Sequence, residues 1–278
     1  MTAICCNSEH GRRDPTRTTT LRNRYMRDVV GRFRFIRREA IARLKDRLTV
    51  NFEFTRSDLK VSEFMTWLES ATNEHILEIQ PGRTIASAAN GAWANKYIDS
   101  AYIAGLRQGA SKLRASGAKV SERWVDAGFR RPIHADRLGV IYTRNYSELA
   151  GITAEMDRQI GRILAQGIGE GAAPGTIARQ VAGRVDAIGI TRARMLARTE
   201  VINAHAEATL NTYEEAGLEG VEVEAEFLTA VDACPQCLAL AEQGPYSLQQ
   251  ARGLIPVHPN CRCAWAPIAK GGSGIELF

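Results

Sequence analysis

Long apolar runs are missing from this 278-residue chain. No uninterrupted stretch approaches the roughly 20 residues that a membrane helix needs. The opening from Met1 to Pro15 is polar and basic, without the apolar segment of a signal peptide. The sequence therefore predicts a protein made in a reducing cytoplasm, with no membrane partner. Signatures of common chemistry are missing too. No Gly-rich phosphate loop, Ser/His/Asp set or pair of catalytic carboxylates stands out, and no internal repeat is visible. No catalytic residue is assigned, and no small-molecule substrate is expected. Disorder is excluded as well, because 45% of the residues are apolar and only 24% charged. That length and apolar share suffice for a sizeable core in one or two domains.

Charge is present but unevenly placed. The net charge of +5 divides into 21 Lys/Arg against 12 Asp/Glu over residues 1–119, and 15 against 19 over the rest. Arg12 to Arg47 alone holds 13 basic residues and 4 acidic ones. Thr199 to Asp232 has nine carboxylates and no Lys or Arg. Two surfaces with different partners are implied.

Periodicity organises the chain. Asp14-Pro15 blocks helix at the end of a basic tail, residues 1–16, expected to be flexible. Leu21, Tyr25, Val29, Phe33, Ile36, Ala40, Leu44 and Leu48 recur at steps of three and four, predicting a helix from Thr18 to Leu48. Further helices are predicted at Leu59–Ile79 and Thr84–Ala115, then irregular chain from Ser121 to Pro132. Helices follow at His134–Leu149 and Ala154–Gly167, from the Gly171–Gly175 turn to Val185, and at Thr191–Ala216. Strict alternation of Val221, Val223, Ala225 and Phe227 with glutamates predicts a half-buried strand. The fold class is thus mainly α with a small α+β C-terminal module. Its domains are a helical N-terminal region (17–132), a C-terminal helix–strand unit (133–270) closed by a zinc knuckle, and a flexible tail (271–278).

Four of the six cysteines are gathered near the end, as Cys234-Pro-Gln-Cys237 and His258-Pro-Asn-Cys261-Arg-Cys263. Zinc takes thiolate and imidazole tetrahedrally, and two cysteines separated by two residues reach one ion. Five donors serve four positions: Cys234, Cys237 and His258 first, with Cys261 ahead of Cys263 as the fourth. Disulfides and unligated packing are the alternatives, the former disfavoured in a reducing compartment. A catalytic zinc needs an open position and a base, for which Asp232 or Glu242 is available, but five soft donors favour a closed structural site. Pro235 is expected to bend the first knuckle and Pro259 to stiffen the second. The segment Ala233–Ile268 has too few large apolar residues for a core of its own, so one ion per chain would clamp it. The adjacent Cys5 and Cys6 read as two free thiols.

Together with Ala197-Arg198-Thr199-Glu200, Asn203, Asp232 and Tyr246, the Pro256-Val257-His258-Pro259-Asn260-Cys261-Arg262-Cys263 ending resembles the phage Mu F-like family of minor head, or head morphogenesis, proteins. The likeness covers roughly Ala154 to Ile268. It implies a structural protein of the tailed-phage head. Such a protein is made in the host cytoplasm, acts near the portal, and enters the head interior in few copies. Portal, scaffold or major capsid protein are the implied partners. The family's distant fold relation to ADP-ribosyltransferases implies an enzyme as the alternative.

Two groups of residues allow double readings. Arg198, Thr199, Glu200, Asn203 and Asp232 form either a buried polar network docking the helix onto the zinc loop, or an active-site cluster with Glu200 as base; the network is favoured. His205 reads as a surface or packing residue. Arg22, Arg24, Arg27, Arg34, Arg37, Arg38 and Arg43 form either a solvated or protein-facing helix surface, or a contact set for double-stranded DNA without sequence preference.

Overall fold

The structure is a computed structural model that describes residues 14–49, 57–79, 85–128, 131–218, 220, 222–270 and 276–277. It is mainly helical, and no helix among the described residues is long and apolar enough to cross a membrane. The chain divides into two compact units that interleave in sequence. The first comprises residues 1–25, 94–142 and 198–278, and the second residues 26–93 and 143–197. The predicted flexibility of residues 1–13 and 271–275 lies outside the described residues, as do Cys5 and Cys6.

Helix α1, Thr19–Thr49, follows the predicted stripe: Tyr25, Val29, Phe33, Ile36, Ala40 and Leu44 are all buried. The end of the supposed tail is ordered instead. Asp14 accepts hydrogen bonds from the Thr16 amide (3.0 Å) and hydroxyl (2.7 Å) and from Thr19 (2.9 Å), and it pairs with Arg22. A short polar side chain ahead of a helix is well suited to hold such a turn.

In the second unit, α2 (Ser57–Thr72) runs into a π-helical turn, Asn73–Leu77. Its terminal carbonyls, left without helical partners, are taken by side chains. Arg32 donates to His75 O at 2.6 Å, and the Trp93 indole donates to Ile76 O at 2.8 Å. The predicted helix Thr84–Ala115 is two helices, α3 (Ile85–Asn90) and α4 (Asn95–Ala115), parted by a turn at Gly91.

A two-residue strand β1 (Lys119–Val120) follows α4, and within the segment predicted to be irregular helix α5 (Glu122–Gly128) forms instead. Ser121 Oγ accepts the Trp124 amide at 3.1 Å, an N-cap, and the Trp124 ring is buried. Helix α6 is continuous from Pro132 to Gly169, joining two predicted helices. Gly151 costs about 1 kcal/mol in a helix interior. The buried stripe Leu149, Ile152, Met156, Ile160 and Leu164 carries the helix through it. Helix α7 (Pro174–Arg184) and a second π turn (Val185–Ile190) lead into α8, Thr191–Leu218.

The predicted strand is β2, Glu222–Leu228, with Val223, Ala225 and Phe227 buried. It pairs antiparallel with β3, Ala264–Lys270, which carries no strict alternation and was not anticipated. Between them lie α9 (Pro235–Gln243) and α10 (Leu248–Ala251); a final strand, β4 (Glu276–Leu277), pairs parallel with β1. Trp265, Phe227, Tyr213, Leu113 and Trp124 share one core with the four cysteines, so the C-terminal segment is packed on α4, α5 and α8 rather than standing alone.

Candidate metal centre

The β2–β3 ladder assembles the centre. Its register pairs Leu228 with Ala264, so the chain leaving β2 toward Cys234 lies beside the chain that enters β3 through Cys263. Cys234 sits at the N-cap position of α9 and Pro235 in its first turn, where proline's fixed φ suits a helix start. Pro235 thus begins a helix rather than bending a knuckle. Cys237 projects from that first turn and is fully buried. The return segment is held to β2 by paired Ala225–Tyr246 backbone bonds of 2.8 and 2.9 Å. Ser247 and Gln250 close a capping box on α10.

All five predicted donors come together. Cys234, Cys237 and His258 form one triad, and Cys237, Cys261 and Cys263 a second, with ligand atoms inside each triad within 4.8 Å of one another. His258 Nε2 is 3.4 Å from Cys234 Sγ and 3.3 Å from Cys237 Sγ. In a tetrahedron with metal bonds of about 2.0 Å to nitrogen and 2.3 Å to sulfur, the nitrogen–sulfur edge is about 3.5 Å. His258 Nδ1 lies 2.9 Å from the Pro259 carbonyl, which only accepts. Nδ1 is therefore the donor, and the neutral ring turns the lone pair of Nε2 toward the sulfurs. All four cysteines are buried and none is in a disulfide.

The sulfurs also share protons. Cys261 accepts from Cys237 and Cys263, which drives its thiol far below the ordinary range; Cys237 is driven up in return by its bonds to Cys261 and Cys263. A soft divalent cation binding such sulfurs displaces their protons. The cluster can hold a metal ion.

The other predicted residues fall in several places. On α8, Glu200 and Asn203 are buried, with Asn203 Nδ2 donating to Glu200 Oε2 at 3.4 Å. Arg198 Nη1 donates to Asn260 Oδ1 at 3.4 Å, linking α8 to the loop between His258 and Cys261. Thr199 is half-buried. Asp232 pairs with Arg262, a residue the sequence did not single out. No family model, curated protein or solved structure matches the chain. His205 is buried in the first unit, and neither ring nitrogen has a hydrogen-bond partner. Burial, with Lys112 adding to it, lowers its pKa to about 4.

The arginines of α1 differ among themselves. Arg24, Arg27, Arg34, Arg38 and Arg43 are exposed; Arg43 stacks 4.5 Å over the Trp67 ring. Arg37 is half-buried and pairs with Asp186 at 3.2 Å. Arg22 must be removed from the contact set: it is buried against Asp14, and that burial lowers its pKa.

A further network carried no sequence signal, because its members are far apart and of unremarkable local pattern. Tyr102 OH is 2.8 Å from His134 Nδ1, whose Nε2 is 2.9 Å from Glu215; Arg131 meets the other Glu215 oxygen at 2.9 Å. Asn211 donates to Tyr102 OH at 2.6 Å and accepts from Arg252 at 2.9 Å, and Arg252 also pairs with Glu207 and Glu214. Tyr102 and His134 are closed to solvent, and Arg252 ties the loop that leads to His258 to α8.

Proposed function

We propose that this chain is a structural head morphogenesis protein of a tailed phage, in which one zinc ion fastens the C-terminal segment. The observation that supports this reading is the gathering of Cys234, Cys237, His258, Cys261 and Cys263 into two triads that share Cys237, with Arg198 of α8 donating to Asn260 in the same loop. These are the same residues that carry the likeness to Mu F-like proteins, and the geometry is of tetrahedral size. Zinc is the choice because thiolate and imidazole in a buried, redox-silent site suit it best. The ion would be held by Cys234, Cys237, His258 and one of Cys261 or Cys263. No turnover is assigned. Glu200, the candidate base, is buried and hydrogen-bonded to Asn203.

The exposed arginines of α1 supply a surface for an acidic protein such as a portal, or for packaged DNA. Quantitative mass spectrometry of heads assembled by the encoding phage should find a few copies per particle, together with portal capture by the purified chain. Absence from procapsids and from portal complexes removes the reading. Affinity for double-stranded DNA should fall steeply between about 50 and 200 mM salt if several phosphates are contacted. Flat, weak binding leaves protein as the partner.

A further inference from the structure

We infer that Arg262 is a positioning residue for the metal centre: its ion pair with Asp232 latches the two halves of the donor set together before an ion arrives. This rests on the reading of the cluster as a metal site.

Asp232 lies two residues before Cys234, in the turn that leaves β2, and Arg262 lies between Cys261 and Cys263. The pair therefore joins the strand-to-helix turn that carries the first two sulfurs to the segment that carries the last two. The Arg262 side chain is only 8% exposed, so the pair is sheltered from screening on that side. Both flanking sulfurs turn to the cluster while the guanidinium between them takes the carboxylate. Arg198 reaches the same loop at Asn260, and Arg252 anchors its start on α8. Between Cys237 and His258 the chain makes a 20-residue excursion. An ion that had to close that excursion alone would meet its full ordering cost, whereas a latched loop presents the donors already near one another. Arg22 also lies near enough to Arg262 for the two guanidinium groups to repel one another, which makes the Asp232 carboxylate the more critical partner. Removing it leaves a buried charge among like charges.

The test uses the full chain with Cys5 and Cys6 replaced by serine. In metal-free protein, the reaction of the four buried thiols with Ellman's reagent should be at least about tenfold faster in Arg262→Met than in the parent. Zinc affinity, from competition with a chromophoric chelator, should fall about 10- to 100-fold, the usual effect of losing an outer contact. Asp232→Asn should fall further than Arg262→Met, and Arg262→Lys should recover part of the loss. Should Arg262→Met fail to fold by circular dichroism, Asp232→Ser at the exposed end of the pair gives the same two readouts. Thiol rates and zinc affinities within twofold of the parent overturn the latch. A parent that takes up no zinc, yet whose thiols are protected only when the pair is intact, overturns the zinc reading and keeps the latch.

Discussion

The two units of this protein are stabilised by different means. The second, residues 26–93 and 143–197, is an aliphatic and aromatic helical assembly in which Phe33, Ile36, Leu68, Ile160 and Val181 are buried. The first holds the Cys/His cluster and most of the polar interior: 14 of the 17 buried polar or charged residues described belong to it. Apolar packing is non-directional and tolerates exchange at constant volume. A buried polar array is unforgiving, since each orphaned group carries its desolvation cost. One unit should therefore soften gradually under perturbation while the other fails at single contacts. Each has its own reporters, Trp67 and Trp93 in the second unit, Trp124 and Trp265 in the first.

Metal removal should separate them most. Cys234→Ser with Cys237→Ser should abolish bound zinc, found at about one per chain in the parent by elemental analysis. It should destabilise the first unit by up to about 10 kcal/mol. The Trp124 and Trp265 reporters should melt early and those of the second unit should not; a parallel loss in both would break the contrast.

Next comes a pair of glycines. A Cβ on Gly105 would sit 2.3 Å from the His205 carbonyl oxygen, which is backbone and cannot step aside. A Cβ on Gly189 would meet the Phe33 ring at 2.4 Å. Denaturant titration should give a loss of about 3 kcal/mol for Gly105→Ala, and about 1–2 kcal/mol for Gly189→Ala, where a ring can shift. Equal losses would mean that backbone rigidity does not distinguish the units.

The last difference is one of sign with pH. Burial, reinforced by Lys112 and Arg22 and opposed by Asp14, holds His205 neutral down to about pH 4 in the fold, against 6.5 when unfolded. The unfolded chain thus takes up a proton first, and the first unit loses on the order of 3 kcal/mol as pH falls from 6.5 toward 4. Asp157, in the second unit, is raised from 3.8 to about 7 by burial; the nearby Glu69 adds to this and the Thr72 hydrogen bond opposes it. Here the fold keeps the proton that the unfolded chain releases, so stability is lost as pH rises from 3.8 toward 7. Urea midpoints read at Trp265 and at Trp67 should slope oppositely with pH. Asp157→Asn should flatten the second slope alone, and slopes of one sign would refute the assignment.

The same contrast governs how much could be read from the residues. The α1 stripe and the alternation in β2 are burial patterns with a fixed period, and both are present as predicted. The Cys-x-x-Cys and His-Pro-x-Cys-Arg-Cys groups carry their chemistry in local spacing, and their convergence followed. Features set by distant partners were invisible. Arg22 has the appearance of a surface arginine until Asp14 meets it, and His134 and Glu215 are 81 positions apart in the chain. The gap expected between Leu149 and Ala154 is helical, because Gly151, with open space around it, brings only a propensity cost of about 1 kcal/mol, smaller than the contribution of the buried stripe on either side. Strand β3 was hidden because Pro267 argues against a strand; as one of only two strands in its sheet, β3 has an edge that tolerates proline.

The pairing of Leu228 with Ala264 gives the molecule a parity rule. Side chains in a ladder swap faces at every step. One residue added between Cys263 and Ala264 would put the Cys263 sulfur out of phase with the buried indole of Trp265. Two residues would restore the face but not the reach. Length is thus fixed at the entry to β3 by counting, independently of which side chains occupy it.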